Sequence, residues 1–99
     1  MNDTQFDSII HAPNRLQICA LLAPIEDAEF QLVRDQLGVS DSVLSKHVKQ
    51  LEDAGYVKQR KEKVNGRQRT WLYLTKAGRG AFKGHVAELM RIVEAEKLS

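Results

Sequence analysis

A two-residue turn near the middle of the chain constrains the fold more than any other feature. Asn65-Gly66 is the strongest short-range signal of a β-hairpin, because a type I′ turn needs a positive φ at both central positions. If these residues form the loop, residues whose numbers sum to 131 face each other across the two strands. The turn therefore predicts a β-hairpin at about residues 57–74 and also its register.

The predicted register divides the side chains of the hairpin between two faces. Val57 opposite Leu74 and Gln59 opposite Leu72 share one face, which we assign to the core. The other face pairs two cations with aromatic rings and one anion with a cation: Lys58 with Tyr73, Arg60 with Trp71, and Glu62 with Arg69. Each such pair contributes about 0.2–1 kcal/mol. Because all three pairs follow from the turn alone, they support the two-residue loop.

The segment before the hairpin has the pattern of an amphipathic helix at about residues 40–54. The hydroxyl of Ser40 can accept a hydrogen bond from a free amide at the helix start. At about 100° per residue, Leu44, Val48 and Leu51 lie within about 60° of one another and form the predicted buried stripe. The nearly opposite side is small, polar and basic, and it carries Ser42, Ser45, Lys46 and Lys49.

The remaining elements are predicted from the residues that start and stop helices. We expect a short helix at residues 3–10, a helix at 13–22 ended by Pro24, a short strand at 28–30, a helix at 31–37 closed by Gly38, and a last helix at about 75–98 capped by Thr75. A chain of 99 residues is expected to form a single domain, residues 1–99. The predicted fold is mainly α with a small β-hairpin, in the order α-α-(β)-α-α-β-β-α.

The last predicted helix has an apolar stripe along most of its length. A domain this small has little core left for a long terminal helix to cover, so we expect much of the stripe to contact a second subunit. Packing within one chain is the alternative. The residues expected in the subunit contact are Phe82, Val86, Leu89, Met90 and Val93.

The basic residues are concentrated in one part of the chain. Residues 45–83 contain eleven cations and three anions, a balance of +8, whereas the remainder contains four cations and ten anions, a balance of −6. Such asymmetry favours a nucleic acid on one side of the molecule. The alternative is a solvated surface with ordinary charge scatter.

Three stretches, in this order, carry a family resemblance: Asn14-Arg15-Leu16-Gln17-Ile18, the run from Val43 to Val57, and Leu74-Thr75-Lys76-Ala77-Gly78-Arg79. They resemble the first core helix, the recognition helix with its exit into the wing, and the start of the final helix in small winged helix-turn-helix regulators related to the multiple-antibiotic-resistance (MarR) family. The resemblance covers nearly the whole chain. It implies sequence-specific binding of double-stranded DNA by a homodimer, and we expect a repressor.

The chain is shorter than the full-size members of that family, and its length does not support a small-molecule effector. It is more similar to a minimal subgroup, in which the N-terminal segment and the final helix alone make the dimer. Phe6 and Ile9 are therefore added to the expected dimer interface.

The resemblance implies that the helix at 40–54 enters the major groove and that the wing meets the DNA backbone or the minor groove. Small serines let a helix approach base edges, which favours Ser42 and Ser45 there. Lys46 and Lys49 are expected at phosphates, which position the protein without reading sequence. The expected wing contacts are Lys61, Lys63, Arg67 and Arg69; Arg67 is the better groove candidate, because Glu62 can hold Arg69.

Two other functions remain as alternatives: a protein-interaction module in a larger assembly, and an RNA binder. A protein contact usually exposes aromatic or aliphatic anchors. The helix face described above consists of serine and lysine, which favours DNA over a protein partner.

Several other classes of function lack a signal in the sequence. No nucleophile–base pair, carboxylate pair or phosphate loop is evident, so we expect neither an enzyme nor a cofactor. His11, His47 and His85 are far apart in sequence and Cys19 is a lone cysteine among apolar neighbours, so we expect no metal site and a core position for Cys19. With no secretory signal and no apolar run long enough to cross a membrane, the protein is expected in the cytoplasm.

Overall fold

A computed structural model describes residues 4–98 of the chain, with side chains for residues 4–96. The elements follow in the order α1 (Ser8–His11), α2 (Pro13–Leu22), β1 (Ala28–Glu29), α3 (Phe30–Leu37), α4 (Asp41–Asp53), β2 (Val57–Val64), β3 (Arg67–Leu74) and α5 (Lys76–Leu98). The strands form an antiparallel sheet in the order β1-β3-β2. The architecture is mostly helical with a small sheet, as the sequence predicted.

The hairpin has the predicted turn and the predicted register. Asn65 and Gly66 have φ values of 52° and 78°, the positive values that a type I′ turn requires. Every pair between residues 57–64 and 67–74 has numbers that sum to 131. A local turn signal therefore determined the alignment of eight residue pairs.

The buried part of the hairpin is its base. Val57, Leu72 and Leu74 are at most 4% exposed and join the core. The assignment of Gln59 to the core face is wrong: Gln59 is exposed, and its amide donates to Glu52 Oε1 at 2.8 Å. The alternation of the strand is correct, but β2 projects beyond the helices after its first residue, so no second layer covers it.

The helices pack on a cluster of buried apolar side chains. In α4, Leu44, Val48 and Leu51 are at most 1% exposed, which confirms the predicted stripe. Cys19 of α2 is fully buried, as expected. Burial raises the pKa of its thiol to about 12, so the thiol stays protonated and unreactive at neutral pH.

The N-terminal helix differs most from its predicted bounds, and the short strand differs slightly. The strand is one residue shorter, because Phe30 already begins α3. The helix begins at Ser8, and the predicted start at residue 3 lies outside the described residues. The late start has a physical cause: the carboxylate of Asp7 accepts from Ile10 N at 3.0 Å and caps the helix there.

Asp7 joins three parts of the molecule. Its backbone N–H donates to His85 Nδ1 in α5 at 2.9 Å, and its Oδ2 accepts from the Tyr56 hydroxyl at 2.6 Å. The hydrogen bond to Asp7, together with burial, raises the pKa of Tyr56 to about 12. Because His85 Nδ1 accepts, we assign the proton to Nε2, which lies 3.1 Å from His11 Nδ1. The ring of Phe6 packs against both histidines. Two histidines that are distant in sequence therefore touch.

Gly78 lets α5 lie directly on the backbone that follows α4. A Cβ at Gly78 would be 2.1 Å from the carbonyl oxygen of Tyr56. The same oxygen accepts from Thr75 N at 2.9 Å. Thr75 Oγ1 in turn accepts from Gly78 N at 3.0 Å, which confirms the predicted cap of this helix. The start of α5 is thus fixed on the link between α4 and β2.

Replacing Gly78 by alanine should destabilise the fold, because the added methyl group meets a backbone atom that cannot rotate away. We expect Gly78→Ala to lower the free energy of unfolding by about 1–3 kcal/mol or more. Gly80→Ala is the matched control: Gly80 is exposed, a Cβ there meets nothing within 4 Å, and alanine favours a helix by up to about 1 kcal/mol. Thermal denaturation measures both effects, and equal melting temperatures for the two variants would contradict the close packing at Tyr56.

The free energy of unfolding should fall as the pH is lowered through the range in which free histidine gains a proton. Burial, followed by the nearby His11, lowers the pKa of His85 below its ordinary 6.5, and the charge of Asp7 opposes this more weakly. The unfolded chain then binds a proton that the folded chain does not, so this contribution to stability is complete above about pH 6.5 and is lost below it.

His85→Asn tests this linkage, because asparagine Oδ1 can replace Nδ1 as the acceptor of the Asp7 N–H. Chemical denaturation at about pH 7.5 and pH 5.5, at fixed protein concentration, should show a smaller pH-dependent loss in the variant than in the wild type. His47, whose pKa burial also lowers, contributes the same loss to both proteins. Parallel pH profiles would show that His85 does not carry the effect.

Candidate nucleic-acid interface

The face of α4 that points away from the core is polar, basic and open. Its start is fixed by Ser40, whose Oγ accepts from Val43 N at 3.2 Å, the predicted cap. Six exposed side chains line a shallow depression on this face: Ser42, Ser45, Lys46, Lys49, Gln50 and Asp53. The structure therefore brings together the four helix residues that the sequence placed at DNA.

The charge on this face is partly compensated. Lys49 Nζ lies 3.4 Å from Asp53 Oδ1 in an exposed pair one turn apart, a contact worth about 0.3–0.5 kcal/mol. At the start of the helix, Arg34 of α3 donates to Asp41 at 2.8 Å. Lys46 has no ion pair within residues 4–98. A polyanion would meet Lys46 as a free charge and Lys49 after the loss of a weak pair.

Val43 and Gln50 lie beside this face but were not among the predicted site residues. Val43 is 38% exposed, and Gln50 lines the depression. Both lie at the same edge, about 80–100° around the helix from Ser42. The helical positions of these two residues were enough to place them at the exposed edge. They were not predicted because Val43 is apolar and Gln50 is uncharged, whereas the predicted residues are small or basic.

That edge of α4 is hydrogen bonded to α2. Arg15 Nη1 donates to Gln50 Oε1 at 2.6 Å and lies 3.4 Å from His47 Nδ1, while Arg15 Nε donates to the carbonyl of Ile9. The side-chain amide of Asn14 lies 3.3 Å from His47 Nε2. Burial, followed by the charge of Arg15, lowers the pKa of His47, so this ring is neutral at neutral pH. Side chains of α2 thus hold the exposed edge of α4 in place.

The hairpin carries one of the cation–aromatic contacts that its register predicted. The guanidinium of Arg60 lies 5.7 Å from the centre of the Trp71 ring. Arg60 also donates to Asp27 at 3.1 Å and to Glu62 at 2.8 Å. Two carboxylates therefore compensate its charge, and Arg60 is held against the sheet.

The predicted partner of Arg69 is wrong. Arg69 is opposite Glu62 in the register, but its guanidinium donates to the two carboxylate oxygens of Glu29, at 2.9 and 3.2 Å. The cause is the pairing of β1 with the other edge of β3, which places Glu29 beside the hairpin. Four exposed cations of the hairpin have no side-chain partner within the described part of the chain: Lys58, Lys61, Lys63 and Arg67. Lys58 is opposite Tyr73 in the register, as predicted, but only Arg60 is recorded over an aromatic ring.

A helix with a basic exposed face beside a basic hairpin is the arrangement of a known family. The family model of the winged helix DNA-binding domain matches residues 14–93. The chain belongs to this winged-helix family. An uncharacterized protein from Methanocaldococcus jannaschii is 34% identical to it over 87 residues, which are 88% of this chain and 90% of that protein.

Solved structures of regulators share this winged-helix fold. A transcriptional regulator homologue from Pyrococcus horikoshii OT3 has a TM-score of 0.82 at 29% identity, covering 88% of this chain and 86% of that one. NadR in complex with 4-hydroxyphenylacetate has a TM-score of 0.71 at 25% identity, covering 92% and 68%. ZitR from Lactococcus lactis, a zinc-responsive MarR family member, shares the fold with a TM-score of 0.66 at 19% identity, covering 92% and 62%. The winged helix-turn-helix resemblance is confirmed, and the ZitR structure shows that a MarR family member has the same fold.

The winged-helix chain also exposes an apolar face on α5 and the N-terminal segment. Five of the residues expected at a dimer interface are between 37% and 56% exposed: Phe6, Ile9, Val86, Met90 and Val93. The other two, Phe82 and Leu89, are partly buried, and Phe82 packs against the core. Ile92, which was not among the residues expected at the interface, is 45% exposed on the same helix.

Between residues 4 and 98, no helix combines the length and the apolar character needed to cross a membrane. In the same residues, nowhere do three or more His, Cys, Asp or Glu side chains gather as a metal ion would require. The contact between His11 and His85 is a hydrogen bond, and the remaining ring nitrogen of His85 is occupied by the Asp7 N–H.

Proposed function

We propose that this winged-helix chain is a homodimeric transcriptional repressor that binds a specific sequence of double-stranded DNA through α4, the recognition helix, and the hairpin, the wing. The observation that carries this proposal is the exposed polar face of α4, where serines and lysines line one depression. Its lining contains no aromatic or aliphatic anchor of the kind that holds a protein partner. The winged-helix family match and the regulator homologue of the same fold support the same role.

In the proposed complex the recognition helix divides its contacts along its length. Ser42 and Ser45 lie toward its N-terminal half, where helices of this type contact base edges, and a serine hydroxyl both donates and accepts there. Val43 is exposed beside them, and its methyl groups suit contact with the methyl group of thymine. Lys46 and Lys49 bind phosphates, which fixes the helix in the groove.

The wing adds charge and one groove contact to the proposed complex. Lys61 and Lys63 are exposed and unpaired within the described residues, and they attract phosphates. Arg67 follows the turn directly, at the tip of the hairpin, from which it can reach the backbone or the minor groove. Arg69 is the weakest of the wing predictions, because Glu29 already holds its guanidinium.

The exposed apolar face of α5 supports a second copy of the chain as the dimer partner. This helix has 23 residues, a length of roughly 34 Å, and all its residues from 90 to 96 are exposed in one protomer. A two-fold dimer reads two half-sites about one helical turn apart, roughly 34 Å, so the operator should be a pseudo-palindrome. A dimer bound over a promoter would occlude it, which is the basis for proposing a repressor.

Selection from random duplexes at two salt concentrations tests the proposal. We expect enrichment of a pseudo-palindrome with half-sites about one turn apart, and little competition from RNA. Failure to enrich any motif, with binding that vanishes near physiological salt, would refute specific regulation. An enriched single half-site would refute the dimer. Unchanged DNA affinity in the Lys46→Ala, Lys49→Ala double variant would favour a protein-interaction module.

Two arginines two residues apart on the wing provide a matched comparison. We expect Arg67→Ala to weaken DNA binding by roughly tenfold at moderate salt and to reduce the slope of log affinity against log salt by about one unit. Arg69→Ala should change the slope less but should lower the melting temperature more, because it leaves the half-buried Glu29 without its partner. Salt titrations and thermal denaturation measure both quantities, and the reverse order of effects on the slope would contradict these assignments.

A further inference from the structure

We propose that Arg15 of α2 and Gln50 of the recognition helix form a clamp for one phosphate of the DNA backbone. This inference rests on the proposed function and adds a contact from outside the recognition helix and the wing. The ligand is a phosphodiester group at the edge of the major groove, next to the end of the recognition helix that faces α2.

The side chain of Gln50 has a fixed orientation. Arginine can only donate hydrogen bonds, so the 2.6 Å contact from Arg15 Nη1 fixes the amide with Oε1 turned inward. The NH2 group of Gln50 then points away from Arg15, with two protons to donate. A glutamine without such a neighbour would present either end of its amide. The outward side of Gln50 is therefore a donor prepared for an acceptor such as a phosphate oxygen.

The charge of Arg15 is not balanced by a carboxylate within the described residues. Four other arginines form ion pairs with carboxylates, namely Arg34, Arg60, Arg69 and Arg91. Within the described residues Arg15 contacts neutral groups instead: the carbonyl of Ile9, the amide oxygen of Gln50 and the ring of His47, which is neutral at neutral pH. Its positive charge is therefore uncompensated and lies beside the proposed DNA-binding face. A guanidinium next to an amide donor is a combination that suits phosphate.

The position of the pair along the helix also favours a phosphate. Gln50 lies about two turns after Ser42 and at the edge of the depression, whereas recognition helices read bases mainly with their N-terminal residues. A contact this far along the helix meets the backbone rather than a base edge. The hydrogen bond from Arg15 Nε to the carbonyl of Ile9 holds the guanidinium before DNA arrives, which reduces the entropy lost on binding.

Gln50→Glu separates a DNA contact from a structural role. The carboxylate keeps the shape of the side chain and forms an ion pair with Arg15, so the melting temperature should stay the same or rise. The variant has lost its donor, has compensated the charge of Arg15 and repels phosphate. We therefore expect DNA affinity to fall at least tenfold and the salt slope to decrease by about one unit. If the pair served only to join α2 to α4, the same variant would bind DNA as well as the wild type.

Gln17→Glu is the matched control for net charge. Gln17 is exposed on the same helix as Arg15 and lies about 200° around it, so the same charge change is made away from the clamp. Its affinity should fall by no more than about twofold, with an unchanged slope. Arg15→Gln is the second test variant, and it should also reduce the slope by about one unit.

The experiment is a salt titration of all four proteins on the enriched duplex, with melting temperatures recorded in parallel. Absence of specific binding by the wild type would refute the proposed function itself. With wild-type binding intact, an unchanged affinity and slope in Gln50→Glu would overturn the clamp, and so would an equal loss in Gln17→Glu. A changed base preference with an unchanged slope would also overturn it, because Gln50 would then read a base. If Arg15→Gln unfolds, Gln50→Glu decides the result alone.

Discussion

Tyr56, which connects the recognition helix to the wing, fixes how α4, α5 and the N-terminal segment are placed relative to one another. Its N–H donates to Leu51 O at 2.9 Å, and its carbonyl accepts from Thr75 N at 2.9 Å. Its hydroxyl donates to Asp7 at 2.6 Å. The absent side chain of Gly78 lets α5 rest on the same carbonyl. Three elements therefore meet at Tyr56: α5 with its exposed apolar face, the N-terminal segment and the recognition helix. A displacement of any one of them would shift the other two.

The features that could be predicted from the sequence depend on residues close together in the chain. The hairpin register followed from the φ requirement of Asn65-Gly66. The helix caps could be predicted because the hydroxyls of Ser40 and Thr75 each accept from a backbone N–H only three residues later. The polar face of the recognition helix followed from helical geometry alone. In each case the local preference agrees with the final fold, which is the condition under which such reasoning succeeds.

The contacts that could not be predicted join residues distant in sequence. Several carboxylates in the sequence could pair with Arg69, and Glu29 becomes its partner only because β1 pairs with β3 in the folded chain. Likewise, no local pattern indicates that His11 lies against His85 or that Arg15 reaches Gln50. For the candidate site, the sequence therefore located the cations, but the structure was needed to separate those with a carboxylate partner from those without one.

The ion pairs of the wing affect how strongly a regulator binds to non-specific chromosomal DNA while it searches for its operator. Every unpaired cation on a DNA-binding surface strengthens binding to all sequences alike, and a chromosome presents about a million or more competing sites. Asp27 and Glu29, before and within β1, hold Arg60 and Arg69 and so withdraw two charges from that general attraction. A larger share of the binding free energy then comes from contacts that differ between sequences. In the proposed regulator the short strand β1, which contributes little to the core, would limit how much of the protein is retained by bulk DNA.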